Sequence, residues 1–446
     1  MIPGPGEGGE GRPLWPLCNP PTRDRPVDRL PLHRQIFTRK MLVSFLMGFS
    51  CGLPLLLTIT LLQAWMTDAG VDLGAIGLMS LTGLPYTLKF LWAPLLDRFV
   101  PAGTSGRRRG WLLWIQSALI LSVVLLGRCD PAARPLELAA AAFFLAFFSA
   151  SQDAVVDAYR REDLSDNELG LGASLYVNGY RTGMLLASGG GLMLADQLSF
   201  ADVYLVMAIC LLPGLLTTLF APEPPRAAAP PHSMLQAAVA PLAEYFSRKN
   251  ALWMLAFILC YKIGDTLALT MTTPFYLDVG FSKTEIGAVV KLFGYWALVG
   301  GGLLGGVIML RIGINRSLWI FGVLQAVTIL GFVLLARIGP ENWALAVVVA
   351  GENLAGGMGT TAFTAFMASL TDRRFTATQY ALLTSLMGLP RVAASAGTGY
   401  LAEALGWEGF FIFCTAAAVP GFFLLMRFAP LAGKTRRNEM TGIPLI

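Results

Sequence analysis

Residues 149–161 read Ser149-Ala150-Ser151-Gln152-Asp153-Ala154-Val155-Val156-Asp157-Ala158-Tyr159-Arg160-Arg161, and residues 174–181 read Ser174-Leu175-Tyr176-Val177-Asn178-Gly179-Tyr180-Arg181. An apolar run from Leu138 to Phe148 leads into the first stretch, and one from Met184 to Leu194 leads out of the second. Each run with its polar stretch is long enough to cross a bilayer as a helix, which takes roughly 20 residues. Asp153, Asp157 and Arg181 therefore lie in hydrocarbon or at its edge. A charge is costly there and marks a functional position.

Apolar residues make up 55% of the chain and charged ones 14%. With a strongly positive mean hydropathy, this excludes a soluble globular chain. Twelve apolar stretches of spanning length lie between residues 41 and 428. The fold class is therefore an all-α membrane protein of twelve transmembrane helices. Of the 33 Lys and Arg, 24 fall in segments on one side and 4 in the loops on the other, which places both termini in the cytoplasm by the positive-inside rule. The basic clusters, Arg107-Arg108-Arg109 among them, read as topology signals, and no nucleic-acid partner is expected.

Cys18, Cys51, Cys129, Cys210, Cys260 and Cys414 form no CxxC pair and read as small packing residues, with no metal site. His33 and His232 lie outside the spans, so any proton relay at the midplane falls to carboxylates.

The organisation follows from composition. Residues 1–40, rich in Pro, Gly and Arg, read as a disordered cytoplasmic tail without the apolar core of a signal peptide. Residues 41–221 and 251–428 form two six-helix bundles, joined by a polar cytoplasmic linker at 222–250 and followed by a tail at 429–446. The halves share a register: Ile76-Gly77 recurs as Ile286-Gly287, and Arg181 as Arg391, at the same offset and in corresponding spans. Two six-span repeats with a cytoplasmic connection are the organisation of major facilitator transporters. Asp97-Arg98 followed by the arginine cluster resembles that superfamily's loop after span two and marks Asp97 and Arg98 as gating residues.

Candidate site residues are those whose chemistry is out of place in a span. Asp153 and Asp157, four residues apart, share one helix face, while Gln152 points about a quarter-turn away. Caps or salt bridges to Arg160 and Arg161 are the alternative role for the two acids. Lys89 is too deep to snorkel. Tyr176, Tyr180 and Arg181 share a side of span five. Lys262 and Asp265 are placed to pair with each other, and Glu352, Asn353 and Arg391 lie within later spans.

A set of longer stretches, in order through residues 41–403, resembles the AmpG-type muropeptide permeases. They are Leu62-Gln63-Ala64-Trp65-Met66-Thr67-Asp68-Ala69-Gly70, Gly83-Leu84-Pro85-Tyr86-Thr87-Leu88-Lys89-Phe90-Leu91-Trp92-Ala93-Pro94 and Ser149 to Tyr159 in the first half. The second half adds Tyr261-Lys262-Ile263-Gly264-Asp265, Glu352-Asn353-Leu354-Ala355-Gly356-Gly357-Met358-Gly359 and Phe375 to Leu383. The resemblance implies a Gram-negative inner-membrane permease of peptidoglycan recycling, linked in the family to β-lactamase induction. It would carry GlcNAc-1,6-anhydro-MurNAc and its peptides from periplasm to cytoplasm, driven by the proton gradient, with no other cofactor. The expected form is a monomer, and it is not an enzyme.

Asp153, Asp157, Asp265 and Glu352 are the candidates for proton coupling, with Asp153 first. Those for substrate binding are Tyr86, Lys89, Gln152, Tyr176, Tyr180, Arg181, Tyr261, Lys262, Asn353 and Arg391. The cationic members suit an anionic substrate; Arg181 can hold a carboxylate through two parallel hydrogen bonds. Two alternatives stay open: a carrier of acetyl-CoA or another anionic metabolite, and a membrane enzyme or receptor acting on lipid-linked wall precursors. The latter lacks a histidine cluster or metal-spaced motif.

Overall fold

Proline and glycine decide where the helices bend. The computed structural model describes residues 36–428 except 72, 102, 105, 226–233, 249, 283–284, 373–374 and 396–397. The tails at 1–35 and 429–446 lie outside the described residues, and the compact unit begins at Arg39. Among the described residues every regular element is helical.

Helix α1 spans Arg39–Asp68, with Pro54 inside it and a π-helical turn at Leu57–Leu61. The second span, α2 (73–98), is a chain of short pieces. Prolines open two of them, Leu84–Leu88 and Ala93–Arg98, where the missing N–H leaves no bond unmade. Between them a 3₁₀ turn at Lys89–Leu91 carries the buried Lys89. Then come α3 (Arg107–Leu126), α4 (Pro135–Asp163), α5 (169–195) and α6 (Phe200–Phe220). The linker region contains a further helix, α7 (Met234–Ser247).

The later chain comprises α8 (Ala251–Val279), a helical stretch Ile286–Ile338, α11 (Asn342–Leu370), α12 (Thr376–Ser395), α13 (Thr398–Ala417) and α14 (Val419–Phe428). Ile286–Ile338 is 53 residues long, far more than one crossing needs. Gly313, at φ 78°, breaks it into α9 (286–312) and α10 (314–338). Gly406, at φ 66°, turns α13 in the same way. Both angles lie in the left-handed region, which glycine adopts without strain. With these breaks the helices form twelve spans in two halves.

Within the first half, α1 and α5 meet backbone to backbone. A methyl group added to Gly48 or Gly52 would lie 2.2 Å from the Tyr176 carbonyl oxygen or 1.9 Å from that of Tyr180. The contact is mutual, since Gly179 and Gly183 stand equally close to the carbonyls of Phe45 and Phe49. Small residues allow such approach in a membrane, where dispersion replaces the hydrophobic effect as the driving force. The seam fixes Tyr176, Tyr180 and Arg181 of α5 relative to α1. Gly52→Ala is therefore expected to destabilise the protein by about 1–3 kcal/mol, read as a lower thermal midpoint in detergent.

Across the halves, α5 lies on α9 and α2 lies on α12. Ser174 Oγ donates to the Gly302 carbonyl (2.6 Å), and Arg181 Nη1 donates to that of Leu298 (3.1 Å). Helix α12 also takes polar bonds from α2, α3 and α4, described below.

Candidate functional site

Three groups of polar side chains lie inside the helix bundle. The first is built on α4. Its face puts Asp153 and Asp157 together, 6% and 4% exposed. Asp157 pairs with Arg160, one turn on, at 3.1 Å. The same guanidinium lies 4.4 Å over the Tyr176 ring and donates to Tyr380 Oη of α12 at 2.9 Å. Asp153 is different: its Oδ1 is buried and accepts no hydrogen bond. The charge of Lys89, on α2, acts on both carboxylates. A buried acid beside one lysine, one neighbouring acid and an unfilled acceptor position is chemically suited to take and release a proton.

Gln152 faces the other way. Its Nε2 reaches Ser50 Oγ (3.2 Å) and Cys51 Sγ (3.4 Å) on α1. Tyr176 and Tyr180 stand with ring centroids 6.1 Å apart, and the buried Tyr86 hydroxyl makes no hydrogen bond. Trp92 donates to Ser151 Oγ at 2.9 Å.

The second group joins the two halves. Lys262 Nζ and Asp265 Oδ2 of α8 are 2.8 Å apart, and both side chains are partly exposed. Glu352 of α11 is 7% exposed, and the charges of Asp265, Lys262 and Arg181 act on it. Arg181 reaches this group from α5 of the opposite half. The neighbouring candidates point elsewhere. Tyr261 Oη donates to the Leu318 carbonyl (2.8 Å) and its ring stacks on Phe363 at 5.1 Å. Asn353 donates to Val349 O of its own helix, and Lys291 is exposed in the π-helical turn that opens α9. The side chain of Arg391 lies outside the described residues.

The third group closes one end of the molecule. Asp97, fully buried at the end of α2, accepts from the Thr378 amide (2.9 Å), the Thr378 hydroxyl (2.7 Å) and the Ala377 amide (3.3 Å). It thus caps the N-terminus of α12 across the halves, where helix N–H groups are otherwise unpaired and negative charge is favoured. Arg108, 0% exposed, bonds Asp97 Oδ1 (2.7 Å), Glu162 Oε1 (2.6 Å) and Thr376 Oγ1 (2.9 Å). Thr376 also donates to Glu162. Arg107 adds bonds to the Asp97 carbonyl (2.7 Å) and Glu162 (3.1 Å). Glu223, beyond α6, accepts from the amides of Arg108 and Arg109 (2.9 Å each) and caps α3. Arg98 is placed differently from Asp97: its guanidinium lies over the Phe99 ring at 5.0 Å.

The chain matches the Major Facilitator Superfamily over residues 41–395. It is 43% identical to the anhydromuropeptide permease of Escherichia coli K12, over 89% of this chain and 81% of that one. A Rickettsia felis transporter named AmpG 4 is 31% identical, over 86% and 94% of the two chains. Among solved structures, the proton:xylose symporter XylE aligns at TM-score 0.67 and 12% identity, covering 89% of this chain and 96% of that chain. FucP in its outward conformation aligns at TM-score 0.65 and 11% identity, covering 90% and 100%; these two matches concern the fold alone.

The chain belongs to the major facilitator superfamily, among its AmpG-type permeases.

Several polar residues of this AmpG-type chain escaped the sequence reading. Arg107 and Arg108 read as orientation signals, because basic residues gather in such loops anyway. The structure buries both guanidiniums against Asp97 and Glu162. Arg160 read as a cap partner for its own helix, yet it reaches Tyr380 across the halves. One signal was available: Thr376, Thr378 and Tyr380 all fall within the Phe375–Leu383 stretch that carries the family resemblance. The 222–250 linker, polar in composition, also contributes structure. Arg248 of its end pairs with Glu244 of α7 at 2.8 Å and donates to the Leu370 carbonyl at 2.6 Å.

Proposed function

We propose that this chain is a proton-driven permease that carries anhydro-muropeptides, GlcNAc-1,6-anhydro-MurNAc and its peptides, across the inner membrane into the cytoplasm. The observation that carries the substrate is the 43% identity, over most of both chains, to a permease of that description. Both termini lie in the cytoplasm, on the strength of the 24-to-4 distribution of basic residues. The Asp97–Arg108–Glu162 end then faces the cytoplasm and is closed, so substrate reaches the inner charges from the periplasm.

Asp153 carries the proton. Its Oδ1 is buried without a hydrogen bond, while Asp157 on the same helix face is engaged by Arg160. A proton taken from the periplasmic side neutralises a costly buried charge and changes the balance around Lys89. The two halves then rock about the site between them, as in other transporters built of repeats.

The substrate class is tested by exchange across proteoliposomes loaded with GlcNAc-1,6-anhydro-MurNAc-tripeptide. Unlabelled anhydro-disaccharide, which has no phosphate, is expected to compete with the labelled ligand, and acetyl-CoA is not. Competition by acetyl-CoA alone would transfer the assignment to an anionic-metabolite carrier.

A further inference from the structure

Glu352 is more than nine-tenths buried, and among the described residues no side chain or backbone group hydrogen-bonds to it. Nothing about a packing role explains such a carboxylate, because burial without a partner costs free energy. Its surroundings are unusual in one respect: they hold both signs of charge in balance. Lys262 and Asp265 form an ion pair at 2.8 Å, and Arg181 is anchored on Leu298, whose side chain lies with Glu352 Oε1 within 4 Å of where a Gly356 methyl group would be. Three helices and both halves of the protein bring these four groups together, α5 from one half and α8 and α11 from the other.

The pair Lys262–Asp265 is partly open, at 16% and 14% exposure, so a ligand can reach it. Arg181 gives one Nη1 bond to the Leu298 carbonyl and keeps its other guanidinium N–H groups for a second partner. A wholly anionic ligand would repel Glu352 and Asp265, and a neutral sugar has no need of four charges. A ligand carrying a carboxylate and an ammonium a few bonds apart satisfies all four. Its carboxylate meets Arg181 and Lys262, and its ammonium meets Glu352 and Asp265.

We propose that Arg181, Lys262, Asp265 and Glu352 form a subsite for a zwitterionic, amino-acid-like group, the end of the peptide borne by the transported muropeptide. This rests on the permease reading above and divides the ligand between two places. The sugar portion lies against the tyrosines and Lys89 of the first half, and the peptide end lies at the junction with the second. The Lys262–Asp265 bond opens when the ligand binds, so the buried charges are never left without a counter-charge. Because the subsite draws on both halves, occupying it also ties the halves together.

The test compares two ligands in proteoliposomes holding the full chain: GlcNAc-1,6-anhydro-MurNAc without peptide, and the same disaccharide bearing a tripeptide that ends in a diamino acid. Exchange is measured at equal pH on both sides, so no proton gradient is required. Glu352→Gln and Lys262→Gln are each expected to weaken exchange of the peptide-bearing ligand about tenfold or more, since each removes a charge-assisted contact to the zwitterionic group. Exchange of the peptide-free ligand should fall several-fold less, and a thermal midpoint in detergent unchanged from wild type shows that the variants fold. Asp265→Asn provides a third variant with the same expectation. Equal loss of both ligands, or unchanged exchange of both, overturns the subsite. Failure of the wild-type chain to exchange either ligand overturns the permease reading, and the subsite with it.

Discussion

Arg108→Ala is expected to destabilise the protein by about 3–5 kcal/mol, the usual result of removing one partner from a buried ion pair. Arg108 is wholly buried and touches both Asp97 and Glu162, so its loss leaves two carboxylates sharing the single remaining cation of Arg107. Asp97 also caps α12, so repulsion between the acids loosens the joint between the halves. Two readouts separate stability from gating. The thermal midpoint in detergent falls, and amide exchange at Ala377 and Thr378 accelerates more than exchange in the α1–α5 seam. Asp97→Asn is milder, because an amide oxygen still accepts from α12 and one buried charge is removed. If Arg108→Ala left the exchange of residues 377 and 378 unchanged, the cap would not be what holds this end closed.

Asp153→Asn is expected to abolish accumulation of substrate against its gradient while leaving exchange of substrate for substrate. The asparagine keeps the shape of the side chain and cannot carry the proton. Exchange survives because the groups that hold the ligand are on other residues. Coupling through Asp153 also predicts that Asp157→Asn has a different phenotype. Asp157 is engaged by Arg160, whose guanidinium also holds Tyr380 of α12, so its substitution disturbs the joint between halves as well. Proton dependence as strong as wild type in Asp153→Asn would remove this residue from the coupling mechanism.

The fold was legible because the physics that dictates it is local. A run of about 20 apolar residues crosses the bilayer as a helix whatever its neighbours are. The acids of α4 were legible for the same reason, since a carboxylate in hydrocarbon is costly wherever it occurs. The pairing of Lys262 with Asp265 followed from three-residue helical spacing and is present at 2.8 Å. The gate partners were hidden by distance along the chain. Arg108 meets Glu162 54 residues away and Thr376 268 residues away, and nothing in a basic loop distinguishes a buried arginine from an exposed one.

Gln152, Tyr261 and Asn353 illustrate the opposite case. Each is a polar group in a span, which marks it as a candidate, but each has a donor already engaged within the protein. Gln152 Nε2 is bonded to Ser50 and Cys51, Tyr261 Oη to Leu318 O and Asn353 Nδ2 to Val349 O. Satisfying a polar atom in the bilayer is a structural need in its own right, and the sequence does not separate that need from ligand binding. Glu352 differs from these three because no such partner accompanies it.

Uptake of labelled GlcNAc-1,6-anhydro-MurNAc-tripeptide by purified protein in proteoliposomes, with and without an inward proton gradient, tests substrate and coupling together. Accumulation above the external concentration is expected when the gradient is present, and simple equilibration when it is collapsed by an uncoupler. Accumulation unaffected by the uncoupler would contradict proton coupling, and no uptake by folded protein would contradict the muropeptide assignment.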